Sequence, residues 1–367
     1  MAQILVTAPL PFRLPEHGGI PGFETTNRTN LKAFVQEVLK VKLASYRHGG
    51  RDRIGIVSAD ETTVCELSHA WRQLGGEWPE PRTMIELIEA GPQALTALTG
   101  VGAAAFDAAT AVLIAQVQLQ APVRRPSKIC CLALNNSANA DRILQGPAHP
   151  AMFIKPSSAL IGHGEDIECK PHYGRTHPEP ELAVIIGTGG KNIRAEDAYA
   201  HVFGYTVHND ITGATMRGED TFHYRAIHPK SPDSREVAFV DTWVSYPGRY
   251  KGADTFACMG PWLVTRDEIA DPHTLDISCI HRGEVVTHDN TANLTFKTPE
   301  VIAFISSYMT LLPGDVISLG TALKKSSTGG GAVQNIDLLR LGGPVSVAIE
   351  RIGTLTNGVR VLDEALA

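Results

Sequence analysis

No stretch of this chain approaches the ~20 consecutive apolar residues that a bilayer-crossing helix requires, so a helical membrane protein is not expected. Blocks of five or more like charges are missing as well. With a formal charge of −6 and a pI of 6.2, no general surface for nucleic acid or for an anionic membrane is expected. The six cysteines (Cys65, Cys130, Cys131, Cys169, Cys258 and Cys279) show no CxxC or other zinc spacing. The opening "MAQILVTAPLPFRLPEHGG" lacks a basic start and is broken by Pro9, Pro11 and Pro15, which is unlike a secretion signal. Scattered cysteines in that setting read as buried thiols, and the expected compartment is the cytoplasm. Phosphate-binding loops are not found either. "GTGGKN" (187–192) has Ile185 where Walker A needs glycine, no Ser or Thr after Lys191, and Asn192 where GxGxxG ends. "STGGGAV" (327–333) matches neither pattern, so both read as turns or as a flexible active-site loop.

What is present is an ordinary globular composition, 43% hydrophobic and 20% charged over 367 residues, enough for two domains or one large one. Residues 53–67 read as a hairpin and 82–100 as two helices separated by Gly91-Pro92. Residues 101–120 fit either a further helix or, in "TAVLIAQVQL", a strand. "APVRRPSK" (121–128) is the best linker, which divides the chain into an accessory domain, 1–125, and a second domain, 126–367. From Ile129 onward short strand candidates alternate with Gly, Pro and Asp turns. Helical spacing returns only at 195–202 and 298–311, the latter with Thr298 as N-cap and Pro299 at the first helical position. That order predicts α+β rather than a doubly wound sheet.

"HPEPELAVIIG" (177–187) carries the chemistry. Side chains two apart in a strand share a face, so Glu179 and Glu181 point the same way at the mouth of an apolar run. Like charges at a core edge repel unless a cation lies between them. Asp210, closing "VFGYTVHND" (202–210), would complete a hard-oxygen set suited to Mg²⁺ or Mn²⁺. Residue types alone leave the other reading open, in which the glutamates are solvated groups at a strand start.

Read in order, "FIKPSSALIGHGEDIECK" (153–170), "HPEPELAVIIG", "AEDAYAHVFGYTVHND" (195–210), "YKGADTFACMGPWLVTRDEI" (250–269), "TANLTFKTPEVIAFISSYMTLLPGDVISLGTA" (291–322) and "VSVAIERIGTLTNGV" (345–359) resemble the fumarylacetoacetate hydrolase superfamily. The resemblance covers most of 129–361, with a weaker match to the family's small N-terminal domain around 53–100. It implies a mixed β-sandwich roll around a divalent metal, commonly as a homodimer, acting on a small 2-oxo or β-diketo acid. Glu179, Glu181 and Asp210 would be the metal ligands. Lys251 would lie beside the metal, and Thr321 would contact substrate oxygen. A Lewis acid there would stabilise an enolate, with Lys251 adding charge.

Two departures redirect the expectation. Hydrolytic members carry a water-activating His and Glu. The matching stretch "LNNSANADRI" (134–143) has Asn139 and Arg142 in their places, and asparagine cannot accept a proton near neutral pH. The customary arginine is Ala214, with Arg217 nearby, and residues 218–249 read as a long inserted loop, of the kind that often sets substrate choice, containing His223, His228 and Lys230. Three readings follow. In the first, His163, His177, His208 or His288 supplies the base and a C–C bond is hydrolysed; His208 shares a strand face with Asp210. In the second, the site performs decarboxylation, isomerisation, hydration or dehydration of a 2-oxo acid. In the third, the chain is a non-catalytic binding subunit. Metal-dependent C–C hydrolysis is placed first, with Lys251, Thr321, His208 and Asn139 as the catalytic set.

Overall fold

The computed structural model describes residues 42–76, 78–105, 110–323 and 333–363. The centre of the fold is a pair of antiparallel strands, Pro180–Ile186 and Val202–Asp210, in which every residue is buried. Their near-continuous apolar sequence matches strands covered on both faces. Outward from them run Val316–Ser318, Ile129–Ala133 and Ala151–Lys155 on one side, and Ala257–Thr265, Lys42–His48, Arg51–Val57 and Thr63–Glu66 on the other.

This sheet is rolled. Ala151–Lys155 lies four strands from Val202–Asp210, roughly 19 Å away if the sheet were flat. Yet the Lys155 ammonium touches Asp210, and Leu160–Ile161, just downstream, pairs in parallel with Ala257–Cys258. The far edge therefore curls back and closes beneath the central strands. A second sheet, ordered Glu284–Asn290, Asp276–His281, Val345–Ile349, Gly353–Val361 and Asp166–Cys169, packs on the central strands through Ile277, Cys279, Val345, Val347 and Leu355. The result is the α+β sandwich roll expected.

The 53–67 segment forms its hairpin, with Gly55 opposite Glu66, and joins the main sheet through Leu43 opposite Leu263. Helices Met84–Glu89 and Gly91–Ala105 break where Gly91-Pro92 predicts. In the ambiguous 101–120 region the helix runs to Ala105, and two short strands, Val112–Leu113 and Gln118–Gln120, follow. Three local expectations are corrected. Residues 195–201 form a 3₁₀ segment rather than an α-helix. The Thr298–Tyr308 helix is capped at Lys297, whose N–H donates to the Glu300 carboxylate at 2.8 Å; the Thr298 side chain is buried and does not cap, and Pro299 is the second helical residue. The 218–249 insertion is not an irregular loop but a separate two-stranded sheet, Thr221–Pro229 paired with Val237–Ser245. Of "STGGGAV", residues 327–332 lie outside the described residues, as does the Arg142 side chain.

Candidate metal centre and active site

Antiparallel pairing dictates where the acids meet. In the register of the central pair Glu181 faces His208, so the start of one strand and the end of the other share one end of the sheet. The Asp210 N–H donates to the Glu179 carbonyl at 2.9 Å, and the Glu179 N–H donates to Asn209 Oδ1 at 3.0 Å, which fixes that junction. Glu179, Glu181 and Asp210 consequently offer one oxygen each within 4.8 Å of one another, the last two fully buried.

Two lysines press against the cluster. Lys251 Nζ, on the short helix Gly248–Gly252, donates to Glu179 Oε2 and to Asp210 Oδ2, both at 2.7 Å. Its ring neighbour is Phe153, 4.8 Å away. Lys155, wholly buried, donates to Asp210 Oδ1, to the Phe256 carbonyl at 2.7 Å and to the Ile211 carbonyl at 3.1 Å. Thr321 Oγ1 donates to Glu181 Oε1 at 3.1 Å and lies 3.2 Å from Glu179 Oε2. Ser318 Oγ donates to Glu181 Oε2 and contacts His208 Nδ1 at 2.7 Å; the Gly320 N–H reaches the same glutamate oxygen at 3.2 Å. Gly320 has φ +101° and sits so close to Asn135 that a Cβ would approach its side chain to 2.9 Å, so only glycine serves here.

Three acids against two ammonium groups leave the cluster short of positive charge, and the burden falls on Glu181. Burial, then the neighbouring Asp210 and Glu179 charges, push the Glu181 carboxyl up to about 8. Burial would raise Glu179 too, but the Lys251 charge and the His177 hydrogen bond hold it far below the ordinary carboxylate range. Burial works against the Lys251 ammonium, yet Asp210 and Glu179 keep it well above its usual value and therefore charged. A divalent ion fits this donor set. All donors are oxygens, they converge, and one carboxyl remains protonated near neutrality for want of a cation.

The sequence-read residues divide cleanly. Glu179, Glu181, Asp210, Lys251, Thr321 and His208 come together. His208 is completely buried, with Nδ1 4.0 Å from Glu181 Oε2, and burial drives its pKa down to about 3. Asn139 sits in the Ser137–Arg142 turn, buried, its side-chain oxygen without a hydrogen-bond partner. His177 Nε2 contacts Glu179 Oε1 at 3.1 Å. His163 meets the Thr356 N–H and His288 meets Ser278, both on the second sheet. His223 stacks on Trp243 and Lys230 pairs with Glu236, both within the 221–245 hairpin, and Arg217 is exposed. Lys155 and Ser318 were missed. The one signal in the sequence is the lysine that ends the five-residue strand Ala151–Lys155.

A family model described as "Fumarylacetoacetate (FAA) hydrolase C-terminal" matches residues 128–360. Oxaloacetate tautomerase Fahd2a, mitochondrial, of Rattus norvegicus is 34% identical over 281 residues, covering 76% of this chain and 80% of that protein. Protein Rv2993c of Mycobacterium tuberculosis is 33% identical over 250 residues, 67% of this chain and 80% of its own. Among solved structures, maleylpyruvate hydrolase from Sphingobium sp. SYK-6, in complex with manganese (II) ion and pyruvate, aligns with a TM-score of 0.62 at 28% identity, over 87% of this chain and 99% of that one. The 5-carboxymethyl-2-hydroxymuconate delta-isomerase from Mycobacterium smegmatis aligns with a TM-score of 0.60 at 26% identity, over 88% and 100%. With a family model over most of the chain and relatives about one-third identical, these matches make the chain an enzyme of the fumarylacetoacetate hydrolase family.

Proposed function

We propose that this enzyme interconverts the keto and enol forms of a 2-oxo dicarboxylate of the oxaloacetate type, on a Mg²⁺ or Mn²⁺ ion held by Glu179, Glu181 and Asp210. When bound, the ion supplies Lewis-acid charge to the paired oxygens of the substrate. Lys251 Nζ, fixed by Glu179 and Asp210, adds a permanent positive charge where enolate charge develops. Thr321 Oγ1 orients the two glutamates and borders the substrate oxygens. Lys155 offsets the charge of Asp210 from beneath and keeps water out of that side.

The observation that carries the choice of reaction is Asn139. Hydrolysis needs a base for water, and this buried amide offers none. His208 is a poor substitute, because burial keeps it neutral with a weakly basic ring and Ser318 occupies Nδ1. Tautomerisation consumes no water: the proton that leaves C3 of the keto form is balanced by the one gained at the C2 oxygen of the enol, so no water has to be activated as a nucleophile, and relatives about one-third identical bear the name oxaloacetate tautomerase.

The second reading is C–C hydrolysis of an acylpyruvate, favoured by the named activity of the Sphingobium neighbour. One experiment separates them. The Mn²⁺-loaded enzyme is mixed with enol-oxaloacetate and with acylpyruvates, following enol absorbance and the release of two acid fragments. Accelerated enol loss without fragments is expected. Fragment release, with enol loss at the uncatalysed rate, refutes the tautomerase reading.

The 125/126 boundary is retained as the division between accessory and catalytic parts, since the family match begins at residue 128. A cytoplasmic site also remains part of the proposal, resting on the buried thiols of Cys130, Cys131, Cys169, Cys258 and Cys279. The vertebrate relatives are named mitochondrial, so fractionation of cells expressing the tagged full chain decides the compartment.

A further inference from the structure

One oxygen of Glu181 is already saturated. Its Oε2 accepts from the Ser318 hydroxyl and, at 3.2 Å, from the Gly320 N–H. A carboxylate oxygen carries two lone pairs, so this one has none left for an ion. Oε1 accepts from Thr321 at 3.1 Å and keeps a lone pair free. The other two acids hold a donor on both oxygens, Asp210 from Lys155 and Lys251, and Glu179 from His177 and Lys251. The donor pattern therefore opposes chelation of an ion by both oxygens of any one acid, and most strongly at Glu181.

Three adjacent strands build that arrangement. Glu181 stands opposite His208 on one side, and Ala183, two residues on and on the same face, stands opposite Ser318 on the other. His208 is completely buried, with Nδ1 2.7 Å from Ser318 Oγ. A serine hydroxyl has one proton to give. With that proton on Glu181, the contact to His208 closes when the Nδ1–H donates to Ser318 Oγ. The imidazole thus holds the hydroxyl turned toward the carboxylate. Its Nε2 has no hydrogen-bond partner among the described residues, so no other contact there orients the ring.

We infer that Ser318, oriented by His208, restricts Glu181 to a single metal-facing oxygen and so selects small octahedral ions, Mg²⁺ and Mn²⁺, against Ca²⁺. Ca²⁺ takes about six to eight oxygens and readily uses both oxygens of one carboxylate, whereas Mg²⁺ and Mn²⁺ favour octahedral sites. Both residues are positioning residues, and the inference rests on the reading that Glu179, Glu181 and Asp210 hold a divalent ion.

Calorimetric titration of the metal-free full chain with Mn²⁺ and with Ca²⁺, in one buffer at one pH, tests it. The proton that Glu181 releases enters both titrations and cancels in the ratio of affinities. The wild type is expected to prefer Mn²⁺ by at least about tenfold. Ser318→Ala and His208→Leu are each expected to cut that preference by about tenfold or more. His208→Asn, whose Nδ2 can donate from the place of Nδ1, is expected to keep it. A site that is merely loosened binds both ions more weakly and keeps its ratio, so an unchanged ratio in Ser318→Ala overturns the inference. A His208→Asn variant as unselective as His208→Leu overturns the part given to His208. Should the variants not fold, the wild type decides, and Ca²⁺ binding at least as tight as Mn²⁺ binding overturns the inference alone. A wild type that binds neither ion overturns the metal reading itself, and the inference with it.

Discussion

Replacing Lys155 by methionine tests the charge balance of the site without touching a proposed metal ligand. The side chain is completely buried and makes three contacts, to Asp210 and to the carbonyls of Phe256 and Ile211. Removing one partner of a buried ion pair costs about 3–5 kcal/mol when the other is left alone. Asp210 keeps Lys251, which moves the expectation to the low end, about 3 kcal/mol with the two carbonyls included. At about 2 °C per kcal/mol for a chain of this size, the metal-free variant should melt roughly 6 °C below the wild type. The same change leaves three acids facing one ammonium, so Mn²⁺ should bind more tightly and raise the melting temperature further in the variant than in the wild type. Scanning fluorimetry with and without Mn²⁺ reads both. A loss under about 2 °C, or a smaller Mn²⁺-induced rise than in the wild type, refutes the view that Lys155 neutralises the acids.

Glu181→Gln should abolish the Mn²⁺-induced rise in melting temperature while leaving the metal-free protein at least as stable at pH 9, because it removes one of three crowded negative charges; a clear loss of metal-free stability contradicts this. The Glu181 carboxyl, raised to about 8, is protonated below that pH and must release its proton to bind a cation. Mn²⁺ affinity should therefore rise by up to tenfold per pH unit from pH 6 to 8 and level off above, with proton release measured by calorimetry in buffers of different ionisation enthalpy; affinity flat over that range sinks the assignment. Asn139→His should add acylpyruvate cleavage, detected as two acid fragments, where the parent shows none above background. Cleavage by the parent equal to that of the variant shows that the asparagine does not direct the reaction.

Glu179 and Glu181 were legible because strand alternation, followed by an uninterrupted apolar run, leaves few places for two acids to go. Asp210 was legible because it ends a second such run. Lys155 was not, because a lysine closing "AMFIK" looks like a solvated strand end until the roll closes. That closure depends on Leu160–Ile161 pairing with residues about a hundred positions away, and no local pattern encodes it. The insertion read as a loop for a related reason. Apolar residues on both faces of "TFHYRAIHP" and "VAFVDTWVS" blur the two-residue period that marks a strand with one buried side. The Thr298 cap failed by one residue, since sequence favours a hydroxyl at that position while the Glu300 carboxylate takes the free N–H of Lys297 instead.

The separations along the chain between the acids and their lysines carry a consequence for biosynthesis. The three carboxylates come from adjacent strands and can gather as soon as residue 210 has left the ribosome. Lys251 arrives 41 residues after Asp210. In vectorial synthesis the growing polypeptide thus carries the three acids and Lys155 before it owns the second ammonium, Lys251. A dication arriving at that stage would meet one ammonium fewer than in the finished protein.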